Sequence, residues 1–321
     1  MTAPAAHAID FELDNKTTFS VCGTIEPKFI SEKNAAGDSE SKFDDEDSTL
    51  GFAVEHAFTN AVTCFAPAEF EFESDENSNN GLDNTDSAFL GLKGDFGKFR
   101  FGNFDSVYED SIIDATEVAE DAQITDEAFT SEDNQIAYYS PRFGGFSVQA
   151  QLRHFGDGEG GNTSGDAENG ILLVGSYRAD IWEVHVGYDD TGSEIVDQFD
   201  ASGNVTGHGF ADEGTFGTSA IVSPGDFEVA GKYAIQDLED NDRAADDITF
   251  TAVRGTYGVG ALELHAAVQE VGADVGDNRT EVTAGVEYQI YDNLKLWSEI
   301  GRFDQVNDEG DNFNLGAIYS F

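Results

Sequence analysis

The sequence predicts an all-β chain, a transmembrane antiparallel β-barrel of about sixteen strands. Three observations predict it. Apolar and polar residues alternate with period two almost from end to end. One face of that alternation is nearly free of charge, although the chain carries 64 Asp+Glu against 16 Lys+Arg. The connections between alternating segments are short and long by turns, the rhythm of a barrel with tight turns at one rim and loops at the other.

Composition narrows the alternatives. A net charge of −48 over 321 residues would ordinarily suggest disorder or a solvating tail. Yet 26 Phe and 10 Tyr are spread along the whole chain, which implies a fold. No run approaches the ~20 consecutive apolar residues of a membrane helix, but a membrane strand needs an apolar residue only at every second position. The acidic excess repels phosphate, so no nucleic-acid partner is expected. Cys22 and Cys64 are too few for a disulfide framework. By parity Cys22 faces the lumen and Cys64 faces outward with a strand between, whereas a bridge needs Cα atoms within ~7 Å. At the start, Ala6-His7-Ala8 has the small-x-small form of a signal-peptidase site. Residues 1–8 therefore read as a signal-peptide remnant or added leader, and 9–321 as a single barrel domain.

The strands follow in order. Over 17–30, Phe19, Val21, Ile25 and Phe29 share one face, while Ser20, Cys22, Thr24, Glu26 and Lys28 share the other. Leu50, Phe52, Val54 and Phe58 then oppose Gly51, Ala53 and Glu55 over 48–58. Over 61–73, Glu69, Glu71 and Glu73 oppose Ala68, Phe70 and Phe72. Carboxylates at alternate positions need water, and the opposite face needs something apolar. Further strands are expected at 86–94, 96–104, 134–141, 145–155, 169–179, 181–190, 212–222, 226–236, 246–257, 260–270, 279–290, 294–303 and 311–321. Each is near the ~9–11 residues of a tilted membrane strand. A charge at the bilayer midplane costs up to ~2–4 kcal/mol on the lipid face, so its near absence from one face of so acidic a chain is informative. Long acidic loops are expected at 31–47, 74–85, 105–133, 156–168, 191–211, 237–245, 271–278 and 304–310. Phe58, Phe96, Tyr257 and Tyr291, beside the short turns, suit an interfacial girdle.

Two stretches resemble a known family. The run GLKGDFGKFRFGN at 91–103 is similar to the segment before the constriction loop of Gram-negative general-diffusion porins. The run NQIAYYSPRFGGFS at 134–147 resembles the strand, turn and strand that follow that loop. The terminal Tyr319-Ser320-Phe321 looks like the signal such proteins present to the barrel-assembly machinery. The resemblance implies a homotrimer in the outer membrane of a Gram-negative bacterium, in contact with lipid and lipopolysaccharide. It also implies that loop 105–133 folds inward and narrows the pore, its carboxylates facing bases on the wall. The acidic side is then carried by Glu109, Asp110, Asp114, Glu117, Glu120 and Asp121, and the basic side by Lys28, Lys98, Arg100 and Arg153. The family often has an arginine where Asn103 stands, so the basic side departs from the pattern.

The function this implies is passive diffusion of small hydrophilic solutes and ions, with no bond chemistry. With acid outnumbering base on the inner face, cations should be preferred. The acidic loops suit a saline habitat, or cation bridging at Asp44-Asp45-Glu46-Asp47 and 237–247. No cofactor is expected beyond such structural Ca²⁺ or other cations. Two other readings remain, a secreted acidic calcium-binding β-protein or adhesin and a substrate-specific barrel. Residues 156–161 faintly resemble a calcium β-roll repeat, without its recurrence. An enzyme would need a hydroxyl, a histidine and a carboxylate together, and His154, His185 and His265 read as ordinary lumen histidines.

Overall fold

The computed structural model describes residues 8–74, 85–126, 134–155, 168–190, 194–199, 205–211, 214–237, 247–273 and 278–321. Among these, sixteen antiparallel staves close on themselves. We label them in chain order. β1 is Thr17–Ile25 continued as Pro27–Lys33, and β2 is Ser39–Asp45 continued as Thr49–Thr59. Next come β3 (Val62–Glu71), β4 (Thr85–Gly94), β5 (Gly97–Asn103), β6 (Gln135–Tyr139), β7 (Phe146–Phe155) and β8 (Glu168–Ala179). The second half is β9 (Trp182–Asp190), β10 (Thr215–Val222), β11 (Phe227–Asp237), β12 (Asp247–Val259), β13 (Leu262–Ala273), β14 (Arg279–Tyr291), β15 (Leu294–Arg302) and β16 (Asn312–Ser320).

Each stave pairs with its sequence neighbours, and β16 closes the ring on β1 through Leu315↔Phe29 and Thr24↔Ser320. Phe321 and Gly23 then exchange two backbone hydrogen bonds of 3.0 Å. A Cβ at Gly23 would stand 2.9 Å from the Phe321 ring, so the glycine admits the terminal aromatic. Ile9–Glu12 continues the line of β16 along β1, with Ile9 opposite Val21 and Glu12 opposite Thr18. The last stave is thus built from both ends of the chain. Closure leaves no sheet edge, which a wall in lipid requires because hydrocarbon offers its N–H and C=O groups no partner.

The two faces are inverted relative to a water-soluble fold. Val253, Leu264, Val268, Leu315 and Ile300 point outward and are exposed, while Gln269, Glu281, Glu299 and Asn314 point inward and are buried. The alternation expected from sequence therefore survives strand by strand. Three local features differ from the expectation. The stretch 31–47 is mostly hairpin rather than loop, because Pro27–Lys33 pairs with Ser39–Asp45 across the breaks at Glu26 and 46–48. Within the stretch expected as loop 191–211, Glu194–Phe199 and Val205–Ala211 pair as a separate two-stranded sheet. His154 lies on the outer face at the loop end of β7, bonded to Asn169 at 2.9 Å, because Arg153 beside it takes the inward position.

Cys22 and Cys64 are free thiols. His7 of the candidate cleavage site, the glycine-rich run 156–161 and 238–246 lie outside the described residues.

Val253 sits at mid-strand on the outer face of β12. Val253→Arg should lower the folding free energy by about 2–4 kcal/mol. Urea titration of the protein in lipid vesicles reads this, and an unchanged midpoint would place that face out of contact with lipid.

Candidate functional site

The loop that leaves β5 does not stay outside. Phe104, Val107, Tyr108, Ile112 and Ile113 are buried against Ala137, Leu172 and Val174 of β6 and β8. Residues Glu109–Ile113 form one π-helical turn, with Ile112 N–H donating to Tyr108 O at 2.7 Å and Asp114 N–H to Glu109 O at 3.1 Å. Tyr108 and Ile112, four residues apart, project from one side of this turn. They press on Gly187 of β9 and Gly217 of β10, which face each other across the ladder. A Cβ at Gly217 would come within 2.1 Å of the Tyr108 hydroxyl and 2.7 Å of Ile112. The two glycines therefore make the recess that seats the loop.

From there the loop is fastened strand by strand. Val107 N–H donates to Gln151 Oε1 at 2.8 Å, and Ser111 Oγ to Gln149 Oε1 at 3.1 Å, both on β7. Ser219 Oγ of β10 donates to Ser111 O at 2.7 Å. Arg254 Nε of β12 donates to Ala115 O at 2.5 Å while its Nη2 pairs with Glu228 at 2.6 Å. Glu299 of β15 accepts the backbone N–H groups of Glu120, Asp121 and Ala122 at 2.7, 3.2 and 3.3 Å. Glu281 of β14 accepts Thr125 N–H at 2.8 Å and its hydroxyl at 2.7 Å, and Gln269 of β13 donates to Thr125 O at 2.6 Å. Contacts from β7 round to β15 mean that residues 104–126 lie within the barrel.

The expected acidic residues fall into two groups. Glu120 and Asp121 are anchors. Lys295 joins Glu120 to Glu287, and Lys28 joins Asp121, at 2.7 Å, to Glu46. Glu109 and Asp110 lie within the seated turn, near Asp105, and Asp114 and Glu117 on the stretch from there to the β15 contacts. Asp110 is exposed to the lumen. Burial raises the carboxyl of Glu109 to about 9, with Asp105 and Asp114 adding repulsion. Asp114 is raised to about 7, first by burial and further by Asp110 and Asp105. Glu117 is raised too, by burial and by Asp126.

On the basic side, Lys28 is a clamp rather than an open charge. Arg153 is buried and faces Asp189. Lys98 and Arg100 point inward from β5, Lys98 standing 4.0 Å from the centroid of the Tyr139 ring. Sequence reasoning missed the anchors Glu281 and Glu299 as well as the Tyr108/Ile112 seat. Paired mid-strand glycines at 187 and 217 were a readable signal for the seat. Residues 127–133 of the expected loop lie outside the described residues.

The calcium and enzyme readings find little in the geometry. Asp44, Asp45, Glu46 and Asp47 line a cavity of about 190 Å³ with Glu71 and Glu73. Three of them are already engaged, Asp44 by Lys42, Asp45 by Ser48 and Ser74, and Glu46 by Lys28. No cluster of three or more metal-ligating side chains forms among the described residues. Ser176 Oγ lies 2.8 Å from His185 Nδ1, but Glu183 stands 3.8 Å from Nε2, beyond hydrogen bonding, and is held by Arg178.

An apolar outer wall around a polar lumen crossed by its own loop belongs to an outer-membrane barrel protein. The chain is a member of the Gram-negative porin family, whose model matches residues 1–308. It is 27% identical to a "Monosaccharide porin" of a Halomonas species and equally to the "Major outer membrane protein" of Halomonas elongata, over 100% of this chain and 96% of each relative. Among solved structures, the anion-selective porin from Comamonas acidovorans shares the fold with a TM-score of 0.78, at 14% identity over 95% of this chain and 100% of that one. The protein resides in the bacterial outer membrane.

Glu299→Ala should leave the N–H groups of residues 120–122 without their acceptor, at about 1–3 kcal/mol for each group that stays buried. Amide hydrogen exchange at those positions should then accelerate at least about tenfold. Unchanged protection there would remove Glu299 from the tether.

Proposed function

We propose that the barrel is a passive diffusion channel for small hydrophilic solutes and ions, narrowed by the loop at residues 105–126 and selective for cations. One observation carries the sign of the preference. Apart from Lys98 and Arg100, four bases that meet the loop or line the wall beside it are already matched by carboxylates, two of them by more than one. Lys28 is shared by Glu46 and Asp121, Lys295 by Glu120 and Glu287, and Arg254 and Arg279 pair with Glu228 and Glu281. Glu109, Asp110, Asp114 and Glu117 add negative charge at the narrowing as each of them ionises. A low-dielectric wall concentrates that field on a passing ion. The fold does not set the sign by itself, since the Comamonas protein of the same fold is named anion-selective.

The Halomonas relative is named for monosaccharides, and we extend that solute class to this chain as uncharged cargo small enough to pass the loop. We take the working assembly to be a homotrimer, with a detergent-solubilised particle three times the 34.6 kDa chain expected by sedimentation. A stable monomer with full conductance would contradict it. The acidic exterior fits a saline medium, in which the Debye length falls to about 3 Å at 1 M salt and like charges repel little.

The raised carboxyls give the preference a pH dependence. A carboxyl held at a raised value is neutral below it and charged above it, so Asp114 near 7 and Glu109 near 9 add negative charge as the medium becomes alkaline. Reversal potentials across planar bilayers in a tenfold KCl gradient should report cation preference that grows from pH 6 to pH 10. Glu109→Gln should flatten the alkaline part of that rise. Anion preference would refute the assigned sign, and a preference constant with pH would refute these residues as its source.

A further inference from the structure

On the wall below the loop lies a group of side chains that the cation pathway does not use. β5 starts at the short turn after β4, so Lys98 and Arg100 sit on the turn side of the point where the loop departs at Phe104. Register places Lys98 between Lys93 and Tyr139, and Arg100 between Gly91 and Ala137. Ala137 is buried, which fixes this face as the inner one. Arg100 stands 5.0 Å from the ring of Phe89, 5.5 Å from that of Phe104 and 5.1 Å from that of Tyr139. Phe65 lies edge-on to Phe89 at 6.0 Å and carries Lys93 over its face at 5.3 Å.

The charges here break the pattern of the lumen. Lys93 pairs with Glu55. Lys98 and Arg100 form neither ion pair nor hydrogen bond among the described residues, in a chain with four acids for every base. Asp110 on the loop acts on both through space without pairing with either. Arg100 Nε and the Tyr139 hydroxyl are also without a hydrogen-bond partner. Ring faces hold the two cations in place, since a cation over an aromatic face is attracted by its quadrupole. They do not neutralise them.

We propose that Lys98, Arg100 and Tyr139, with Phe89, form a binding site for a small organic carboxylate that carries a flat or ring-shaped body. The carboxylate meets two cations that lack an internal counter-ion, and its body lies along the aromatic wall. Charge-assisted hydrogen bonds to Arg and Lys are about twice as strong as neutral ones, and Arg suits a carboxylate in particular. The site deepens the diffusion-channel reading, because it would slow one class of anion within an otherwise cation-preferring lumen. Its occupancy does not depend on conduction.

Calorimetric titration of the detergent-solubilised full chain tests it, with benzoate, benzyl alcohol and inorganic phosphate as probes. Benzoate should bind saturably in low salt and lose affinity as salt rises, while benzyl alcohol should not bind. Lys98→Gln and Arg100→Gln should each weaken benzoate at least tenfold, and Arg100→Lys should weaken it less than Arg100→Gln. Phosphate should bind more weakly than benzoate, because it has no face for the rings. Benzoate affinity that survives both Gln substitutions, or equal binding of phosphate or benzyl alcohol, overturns the site. The Lys98→Gln result stands if the Arg100 variants do not fold. A chain that conducts in bilayers but does not bind benzoate loses this site and keeps the channel, and binding without conduction does the reverse.

Discussion

Lipid offers no hydrogen bonds, and everything in this structure follows from how the chain accommodates that. Every backbone group in the wall must find its partner on a neighbouring strand, so the sheet closes, and Phe321 meets Gly23 while Ile9–Glu12 completes the last stave. Closure then dictates the rest of the pattern. With strands tilted in a ring, alternate side chains face hydrocarbon or the interior, and a chain with 64 acidic residues has only the interior and the rims in which to place them. The result is an interior rich in carboxylates, enclosed by the ring of strands.

Such a lumen would be wide and uniformly acidic without a second device. The loop after β5 provides it by reusing the same carboxylates as acceptors. Glu299 and Glu281 take backbone and hydroxyl donors from residues 120–122 and 125, and a carboxylate accepting several such bonds is well satisfied away from bulk water. At the other end the loop is seated by shape, Tyr108 and Ile112 against Gly187 and Gly217. One end is thus held by packing as well as hydrogen bonds and the other by hydrogen bonds and ion pairs, with Asp114 and Glu117 between them. Two of the loop's acids thus serve as anchors, and the others carry the proposed ion preference.

The strands were legible in the sequence because period-two alternation is local and each strand states its own faces. The strip Phe227, Val229, Tyr233 against Glu228, Lys232 needs no knowledge of its neighbours. The hairpin extension Ser39–Asp45 was not legible, since SESKFDD has Phe43 as its one apolar residue and no alternation, and it pairs with Pro27–Lys33 beside it. The inward loop was legible as a length and as a resemblance, not as a path. Nothing local separates Glu299 or Glu281 from other lumen carboxylates such as Glu263 or Glu287, because their role comes from which loop atoms reach them. Lys28 likewise reads as an open wall charge until Glu46 and Asp121 are found on either side of it.

The central claim is that residues 104–126 cross the lumen and govern what passes. Single-channel conductance in planar bilayers tests it, comparing the native chain with one in which residues 106–125 are replaced by a short Gly-Ser linker and which folds to the same barrel. The account predicts a severalfold larger conductance and a weaker cation preference for the linker variant. Equal conductance in the two would mean that the loop does not define the narrowest part of the pathway.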